Sequence, residues 1–288
     1  MQKHINAIID SLKPGAIEVA CLLGRREVGY SPTSNASGEE QLKADLEADR
    51  LFTSILSGLD LGGLASEEKE EALLFDFGQA DSKSTPPLFV AFDPLDGSSL
   101  MDSNLSVGSI FGIYKGGFSP QDLIASCYFI YGPRLELVVA MDGRSAHYLY
   151  GGKEWNHIGD FRLKDKGGVL APGGTQKEWP SRHRELISSF FQEGYRLRYS
   201  GGLVPDAHQI LCKGGGLFSY PATSGAKNGK LRKLFEVYPF ALIFENAGGL
   251  AIDGKKRLLD GKLEGLHDRS PCFFGSRVEV ERVLEFSN

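Results

Sequence analysis

Residues 92 to 102, FDPLDGSSLMD, set Asp93, Asp96 and Asp102 beside a proline, a glycine and two serines, directly after the apolar run PLFVA. Hard divalent cations take oxygen ligands. Asp93 and Asp96 offer carboxylates, the Leu95 peptide carbonyl between them offers a neutral donor, and Pro94 stiffens the turn. Gly97 lets the backbone come close to a ligand, and the N–H groups of Gly97, Ser98 and Ser99 form an anion cradle if a helix begins there. Metal and phosphate would then meet at one turn. The same pattern also allows an Asx-turn in which the aspartates cap a helix and face water, with Asp102 only bracing the loop.

Further acids lie elsewhere. LASEEKEE, residues 64 to 71, carries the adjacent carboxylates Glu67 and Glu68, which read alone as a solvated charge run. Glu236 sits among Leu234, Phe235 and Val237, where a buried carboxylate needs a partner and an exposed one does not. Asp45 in KADLEAD reads by itself as a helix-surface acid. His208 in PDAHQ has no CxxC or HxxxH spacing around it and reads as a structural histidine, with Asp206 capping or bracing the same helix. No Ser-His-Asp or Cys-His arrangement is recognisable.

Elements that would position these residues follow from periodicity. The first 60 residues carry helical spacing, interrupted by GYSPTSNASGEE, where Ser37 ahead of Glu39 and Glu40 marks a helix start. In EEQLKADLEADRLFTSILSGL, Leu42, Leu46, Ala48, Phe52 and Leu56 fall on one face. From EALLFDF onward PLFVAF, SVGSIFGIY, LIASCYFIYG, LELVVAMDG and SAHYLYG read as strands of a mostly antiparallel or mixed sheet. The last third alternates: a helix in SRHRELISSFFQEG, a strand in YRLRYS, a helix from Pro205 through Lys213, the strand GLFSYP, and a helix in KLRKLFEVYPFALIFENAGG. Interleaved helices and strands predict an α/β fold of two stacked sheets with helices between and outside them. The polar joint LKDKGG places a boundary near residue 168, dividing the chain into 1–168 and 169–288.

In order along the chain, SEE, FDPLDGSSLMDSNLSVGSIFGIY, RYSGGLVPDAH, YPATSGAKNGKLRKLFE and ENAGG resemble the class I fructose-bisphosphatases and the related sedoheptulose-bisphosphatases of the lithium-sensitive phosphatase superfamily, over residues 35 to 276. The resemblance implies their layered α-β-α-β-α fold and a magnesium-dependent phosphatase, with manganese as an alternative ion, acting on the C1 phosphate of a ketose bisphosphate. Glu67, Glu68, Asp93, Asp96 and Glu236 would be the metal carboxylates, with the Leu95 carbonyl coordinating. Two or three clustered ions lower the pKa of a bound water and neutralise the leaving oxygen. Gly97, Ser98 and Ser99 would take the C1 phosphate, Arg198, Tyr199 and Tyr220 the distal phosphate, and Lys230 the sugar. Glu68 would stand by the attacking water as base or relay, helped by Asp45, with Asp93 in the same catalytic group. In tetrameric members the arginine of the RY pair reaches in from a neighbouring subunit, so the resemblance implies a homo-oligomer in which Arg198 acts in trans.

The chain departs from fructose-bisphosphatases where they carry an NEGY-like segment: it reads VLAPGGTQKEW, closer to the SPGN-like segment of the sedoheptulose branch. GEEQLKADLEAD, IYGPR and RYSGGLVPD lean the same way. The expected substrate is therefore sedoheptulose 1,7-bisphosphate, in pentose regeneration, with fructose 1,6-bisphosphate in gluconeogenesis, an inositol-type monophosphate and a non-catalytic binding role as the alternatives. One added CHOH is a small difference for a roomy, glycine-rich pocket to detect. Relative to the animal enzymes the start lacks the full AMP-binding first helix, and no plastid-type CxxxxC insertion is present, so neither AMP nor thioredoxin control is expected.

Whole-chain properties agree with a small-molecule enzyme. The 288 residues are 41% hydrophobic with a formal net charge of −5 and scattered basic residues, which gives no electrostatic footprint for nucleic acid or anionic membrane. No apolar stretch approaches the roughly 20 residues that span a bilayer, and Asp10, Lys13 and Pro14 interrupt the start, so a cytoplasmic location is expected. Cys21, Cys127, Cys212 and Cys272 lie far apart without a CxxC pair. That spacing argues for four buried thiols rather than a zinc or disulfide framework.

Overall fold

The computed structural model describes residues 1–25, 30–34, 40–75 and 87–287. Helix α1 (Gln2–Leu23) is followed by a two-stranded antiparallel ribbon, β1 (Tyr30–Ser34) with β2 (Glu40–Leu42), and by helix α2 (Lys43–Ser57). The expected helix start at Ser37 and Glu39 lies outside the described residues. Glu40 and Leu42, expected on the helix, are strand, and α2 begins at Lys43. Strand pairing with β1 claims their backbone groups, so the loop reading of GYSPTSNASGEE is corrected at both flanks.

Strands β3 (Gly63–Ser66), β4 (Leu73–Leu74), β5 (Leu88–Asp96), β6 (Val107–Lys115), β7 (Leu123–Tyr131), β8 (Leu135–Met141), β9 (Arg144–Tyr150) and β10 (Trp155–Phe161) form a sheet ordered β10-β9-β8-β7-β6-β5-β3-β4. All its pairs are antiparallel except β3 with β5. Strand β10 is not among the expected strands. It is an edge, and its exposed Asn156, His157 and Asp160 hide the alternation on which recognition depends. The central strands β5 to β7 are buried nearly throughout because both faces are covered.

The second sheet comprises β11 (Val169–Pro172), β12 (Arg196–Leu197), β13 (Gly216–Tyr220), β15 (Leu250–Ile252) and β17 (Cys272–Gly275), in the order β12-β11-β13-β17-β15; a short pair joins β14 (Leu231–Arg232) to β16 (Arg269–Ser270). Helices α3 (Ser181–Gln192) and α6 (Arg277–Ser287) cover its outer face, and α4 (Leu203–Cys212) and α5 (Tyr238–Asn246) lie between the sheets. Side-chain alternation assigns the layers. Phe92, Phe111, Phe129 and Val139 meet α1 and α2, whereas Ala91, Ile110, Tyr128 and Val138 meet α4, α5 and the second sheet. The result is the expected α-β-α-β-α stack. The first sheet ends at Phe161 and the second begins at Val169.

Two expected helices differ in detail. Helix α4 starts at Leu203, two residues before Pro205, because a proline within the first turn loses no helical hydrogen bond. KLRKLFEVYPFALIFENAGG is not one helix: β14 is followed by a π-helical turn (Lys233–Val237) and then α5. Pro239 offers no N–H to the carbonyl of Phe235, and the widened turn accommodates that loss.

The crossing of α4 over β6 depends on Gly108. A Cβ there would stand 2.4 Å from Val204 Cγ1 and 2.6 Å from the Phe129 carbonyl oxygen. Gly108→Ala is expected to lower the unfolding free energy by about 1–3 kcal/mol in a denaturant titration, and to lower activity with it, since Leu203 and Val204 at this crossing contact Asp96. Wild-type stability in the variant would contradict this packing.

Candidate active site

Strand β5 delivers the acidic turn. Asp93 pairs with Ile110 but Asp96 pairs with Gly108, one residue short of regular register, so a bulge lies between them. Residues three apart in a regular strand point to opposite faces; the bulge turns Asp96 to the side of Asp93. Pro94 has no N–H for the ladder and its carbonyl accepts the Ser109 hydroxyl at 2.6 Å, while Leu95 N–H donates to Asp93 Oδ1 at 2.9 Å. Gly97 follows at φ 76°, the left-handed region, and starts the 3-10 turn Ser98–Ser103. Gly97, Ser98 and Ser99 line the resulting cleft, of about 310 Å3, whereas Asp102 is exposed and does not line it.

Asp96 is held from the middle layer. Its carboxylate accepts the N–H groups of Leu203 (3.2 Å) and Val204 (2.7 Å), where the partial positive end of α4 favours an anion. Asp206, wholly buried in the same first turn, accepts Ser200 N–H at 2.7 Å and Gly201 N–H at 3.1 Å. It braces the loop between Tyr199 and α4, as its position in the sequence suggested.

Glu236 comes from the π-helical turn, buried, with Arg232 N–H donating to its Oε2 at 2.6 Å. Its exposed-helix alternative is excluded. One ligand oxygen each of Asp93, Asp96 and Glu236 lie within 4.8 Å of one another, so the cluster joins the strand of the first sheet to a turn from beyond residue 168. Glu67 directly follows β3, its N–H donating to Phe92 O at 3.0 Å, and is ion-paired with the buried Arg232. Ser66 Oγ donates to Asp49 Oδ1 at 2.5 Å and Lys69 pairs with Asp49 at 3.1 Å, which fixes the turn carrying Glu67 and Glu68 to α2. The solvated-run reading of this segment fails at Glu67, which is 8% exposed. Asp45, in the first turn of α2, is buried at the cleft rather than on the helix surface.

Burial, followed by the charges of Asp96 and Glu236, pushes the Asp93 carboxyl well above the usual range. Burial, and then Glu236, raises Asp96 to about 7. Glu236 is raised by burial and held back by Arg232. Across the cleft, six carboxylates (Asp45, Glu67, Glu68, Asp93, Asp96 and Glu236) face three cations, Lys230, Arg232 and Arg269. Glu67 Oε2 is buried without a hydrogen-bond partner among the described residues. Buried, converging carboxylates in excess of the cations beside them are what a hard divalent cation neutralises, so the donor set fits such an ion.

Tyr199, Tyr220 and Lys230 line the same cleft, so the structure brings together every anticipated residue except Arg198. The Arg198 guanidinium donates to Leu197 O at 2.9 Å and does not line the cleft. Arg232 and Arg269, opposite each other on β14 and β16, were not anticipated. The available signal was an arginine inside the apolar run LRKLFEV, where burial demands a carboxylate partner.

The family model for the N-terminal domain of fructose-1-6-bisphosphatase matches residues 3–166, and that for its C-terminal domain matches residues 163–288. The chain belongs to the fructose-1,6-bisphosphatase family. This family is metal-dependent, and the chain is a sugar-bisphosphate phosphatase. Class 1 fructose-1,6-bisphosphatase of Helicobacter hepaticus is 52% identical over 98% of this chain and 99% of its own. That of Campylobacter jejuni strain NCTC 11168 is 44% identical over the same shares. Leishmania major fructose-1,6-bisphosphatase superposes with a TM-score of 0.90 at 27% identity, covering 98% of this chain and 94% of that one. A Toxoplasma gondii chain assigned as a sedoheptulose-1,7 bisphosphatase superposes with a TM-score of 0.85 at 30% identity, covering 98% and 92%. Among the described residues no helix is long and apolar enough to cross a membrane.

Proposed function

We propose that the chain hydrolyses the C1 phosphate of fructose 1,6-bisphosphate, in carbohydrate metabolism of the gluconeogenic kind. The lean towards sedoheptulose, drawn from short segments, gives way to whole-chain similarity: the relatives at 44 to 52% identity are fructose-1,6-bisphosphatases. The observation carrying the chemistry is the excess of carboxylates in the cleft. A phosphate dianion enters such a site only when cations are bound there.

Asp93, Asp96 and Glu236, with Glu67, Glu68 and the Leu95 carbonyl, hold magnesium or manganese. Bound there, such an ion supplies a water of lowered pKa and charge neutralisation at the phosphoryl and leaving oxygens. Glu68 accepts the proton of the attacking water at a carboxylate oxygen, and Asp45 behind it supports that transfer. Gly97, Ser98 and Ser99 cradle the C1 phosphate. Tyr199, Tyr220 and Lys230 orient the sugar and its distal phosphate, so the part up to residue 168 handles the reacting end and residues 169–288 the far end, with Glu236 the exception. Arg198 completes the distal site of a neighbouring subunit in a dimer or tetramer.

Parallel assays of phosphate release from fructose 1,6-bisphosphate and sedoheptulose 1,7-bisphosphate, with magnesium and with chelator, test this reading. Magnesium-dependent turnover with the six-carbon sugar at least equal to the seven-carbon one is expected; a strong preference for the latter would reverse the assignment.

The APGG segment contributes indirectly. A Cβ on Gly173 would stand 2.4 Å from Tyr220 Cδ2, so this glycine makes room for the ring that lines the cleft. Gly173→Ala is expected to raise KM for the bisphosphate about tenfold, the scale of one lost hydrogen bond to a charged group, with a smaller change in kcat. An unchanged KM would remove Tyr220 from the distal site.

A further inference from the structure

Of the four cysteines, Cys127 and Cys272 are buried but Cys21 and Cys212 are exposed, against the expectation of four buried thiols. Cys212 ends helix α4, and four residues before it on the same face is His208. His208 Nε2 lies 3.2 Å from Cys212 Sγ and 3.2 Å from Glu136 Oε2. His147 Nε2 lies 2.6 Å from the same Glu136 oxygen. Glu136 on β8 and His147 on β9 are diagonal neighbours in the ladder, where Val138 pairs with His147, so both side chains share the sheet face that α4 crosses.

One oxygen and two nitrogens therefore converge from three elements, and the Cys212 sulfur stands beside one of the nitrogens. The ligand atoms of Glu136, His147 and His208 lie within 4.8 Å of one another. The edges of a tetrahedron with zinc-ligand bonds of 2.0 to 2.3 Å measure about 3.3 to 3.8 Å, so the three oxygen and nitrogen donors would move slightly apart on loading, while Cys212 Sγ, close to His208 alone, would reach the fourth position by a side-chain rotation. The surroundings orient the donors. Tyr128 Oη lies 2.8 Å from His208 Nδ1, which leaves Nε2 as the inward nitrogen, and Arg134 Nε donates to Glu136 Oε1 at 2.6 Å, which leaves Oε2 inward. Phe161 stacks on the His147 ring at 4.6 Å and meets His208 edge-on. The exposed thiol provides an entry path.

We infer that Glu136, His147, His208 and Cys212 form a second metal site, selective for zinc-class dications over magnesium. A thiolate and two imidazoles are soft or borderline ligands that suit zinc and cobalt, whereas the catalytic carboxylates suit hard ions. Along α4, His208 lies about 6 Å and Cys212 about 12 Å beyond Val204, whose amide helps hold Asp96, and the two centres share no ligand. Occupancy releases the Cys212 thiol proton and any proton on His208. It ties the first sheet to the middle layer. Motif spacing could not reveal it, because its ligands come from residues 136, 147, 208 and 212.

The test uses the tag-free full-length chain in excess magnesium with one equivalent of Co2+ added. Near-ultraviolet thiolate-to-cobalt charge transfer and the visible bands of a four-coordinate centre are expected, with stoichiometric displacement by Zn2+. Cys212→Ser should abolish the charge-transfer band and weaken Zn2+ binding by about 10- to 100-fold or more; His147→Ala should weaken it similarly, and Cys21→Ser should leave both unchanged. Zn2+ should also raise the melting temperature of the wild type, by mass action on the folded state, and not that of Cys212→Ser. Absence of the band in the wild type, or its persistence in Cys212→Ser, would overturn the site and leave the group a hydrogen-bonded joint.

Discussion

Asp93→Asn is expected to lower magnesium-dependent release of the C1 phosphate by about a thousandfold or more. Metal charge at a phosphoryl group is worth several kcal/mol of transition-state stabilisation, and each 1.36 kcal/mol is tenfold in rate. The side chain sits where β5 meets Asp96 and Glu236. Asp96→Asn should be as damaging to activity and worse for folding, because the amide group of asparagine would face a backbone N–H of Leu203 or Val204. Steady-state phosphate release at saturating magnesium, with circular dichroism to establish folding, decides it. A folded Asp93→Asn protein retaining more than about a tenth of wild-type kcat, far above the loss expected here, would dissociate this cluster from catalysis.

In chelator, the enzyme should become less stable as the pH rises from about 4 to above 7, and magnesium should remove that loss. Asp93, Asp96 and Glu236 all have carboxyls raised in the folded chain, chiefly by burial, and Asp96 reaches about 7. A raised carboxyl binds its proton more tightly folded than unfolded, so its contribution is full below the unfolded value near 4 and is lost as the pH passes through the folded value. For Asp96 the loss is on the order of a few kcal/mol. A bound cation takes the place of the proton, so the magnesium-induced rise in melting temperature should be small at pH 5 and large at pH 8. Asp93→Asn should flatten the chelated profile and make the metal-free protein more stable at pH 8 than the wild type, although it abolishes activity. Stability that climbs from pH 5 to 8 in chelator would mean that burial and mutual repulsion do not raise these carboxyls in the folded chain.

Much of this site was legible because its chemistry is concentrated in short segments. Asp93, Leu95, Asp96 and the Gly97–Ser99 turn lie within seven residues, and a strand followed by a tight turn delivers them together whatever the rest of the chain does. Glu67, Glu68 and Glu236 became candidates only through the ordered resemblance, since an acidic pair in LASEEKEE and a glutamate in LRKLFEV each had an equally good solvent-exposed reading. Burial removed that ambiguity for Glu67 and Glu236. Helix boundaries were read less well: pairing with β1 converts Glu40–Leu42 to strand, and Pro239 divides the last long helical pattern through a π turn. Both are decisions of backbone hydrogen bonding that hydrophobic spacing does not record.

The sequence by itself determined the layered α/β class, the acidic turn after β5 and the family, because alternation, helical spacing and contiguous motifs are local properties. Only the tertiary structure decided which charges meet. It set six carboxylates against three cations in one cleft, paired Glu67 with Arg232, gave Asp96 the amides of α4, left Arg198 outside the cleft and drew Glu136, His147 and His208 together with Cys212 beside His208. The physical reason is that the energy of a charge or a ligand depends on distances of a few ångströms across elements far apart in the chain, and those distances exist only once both sheets have packed on the helices between them.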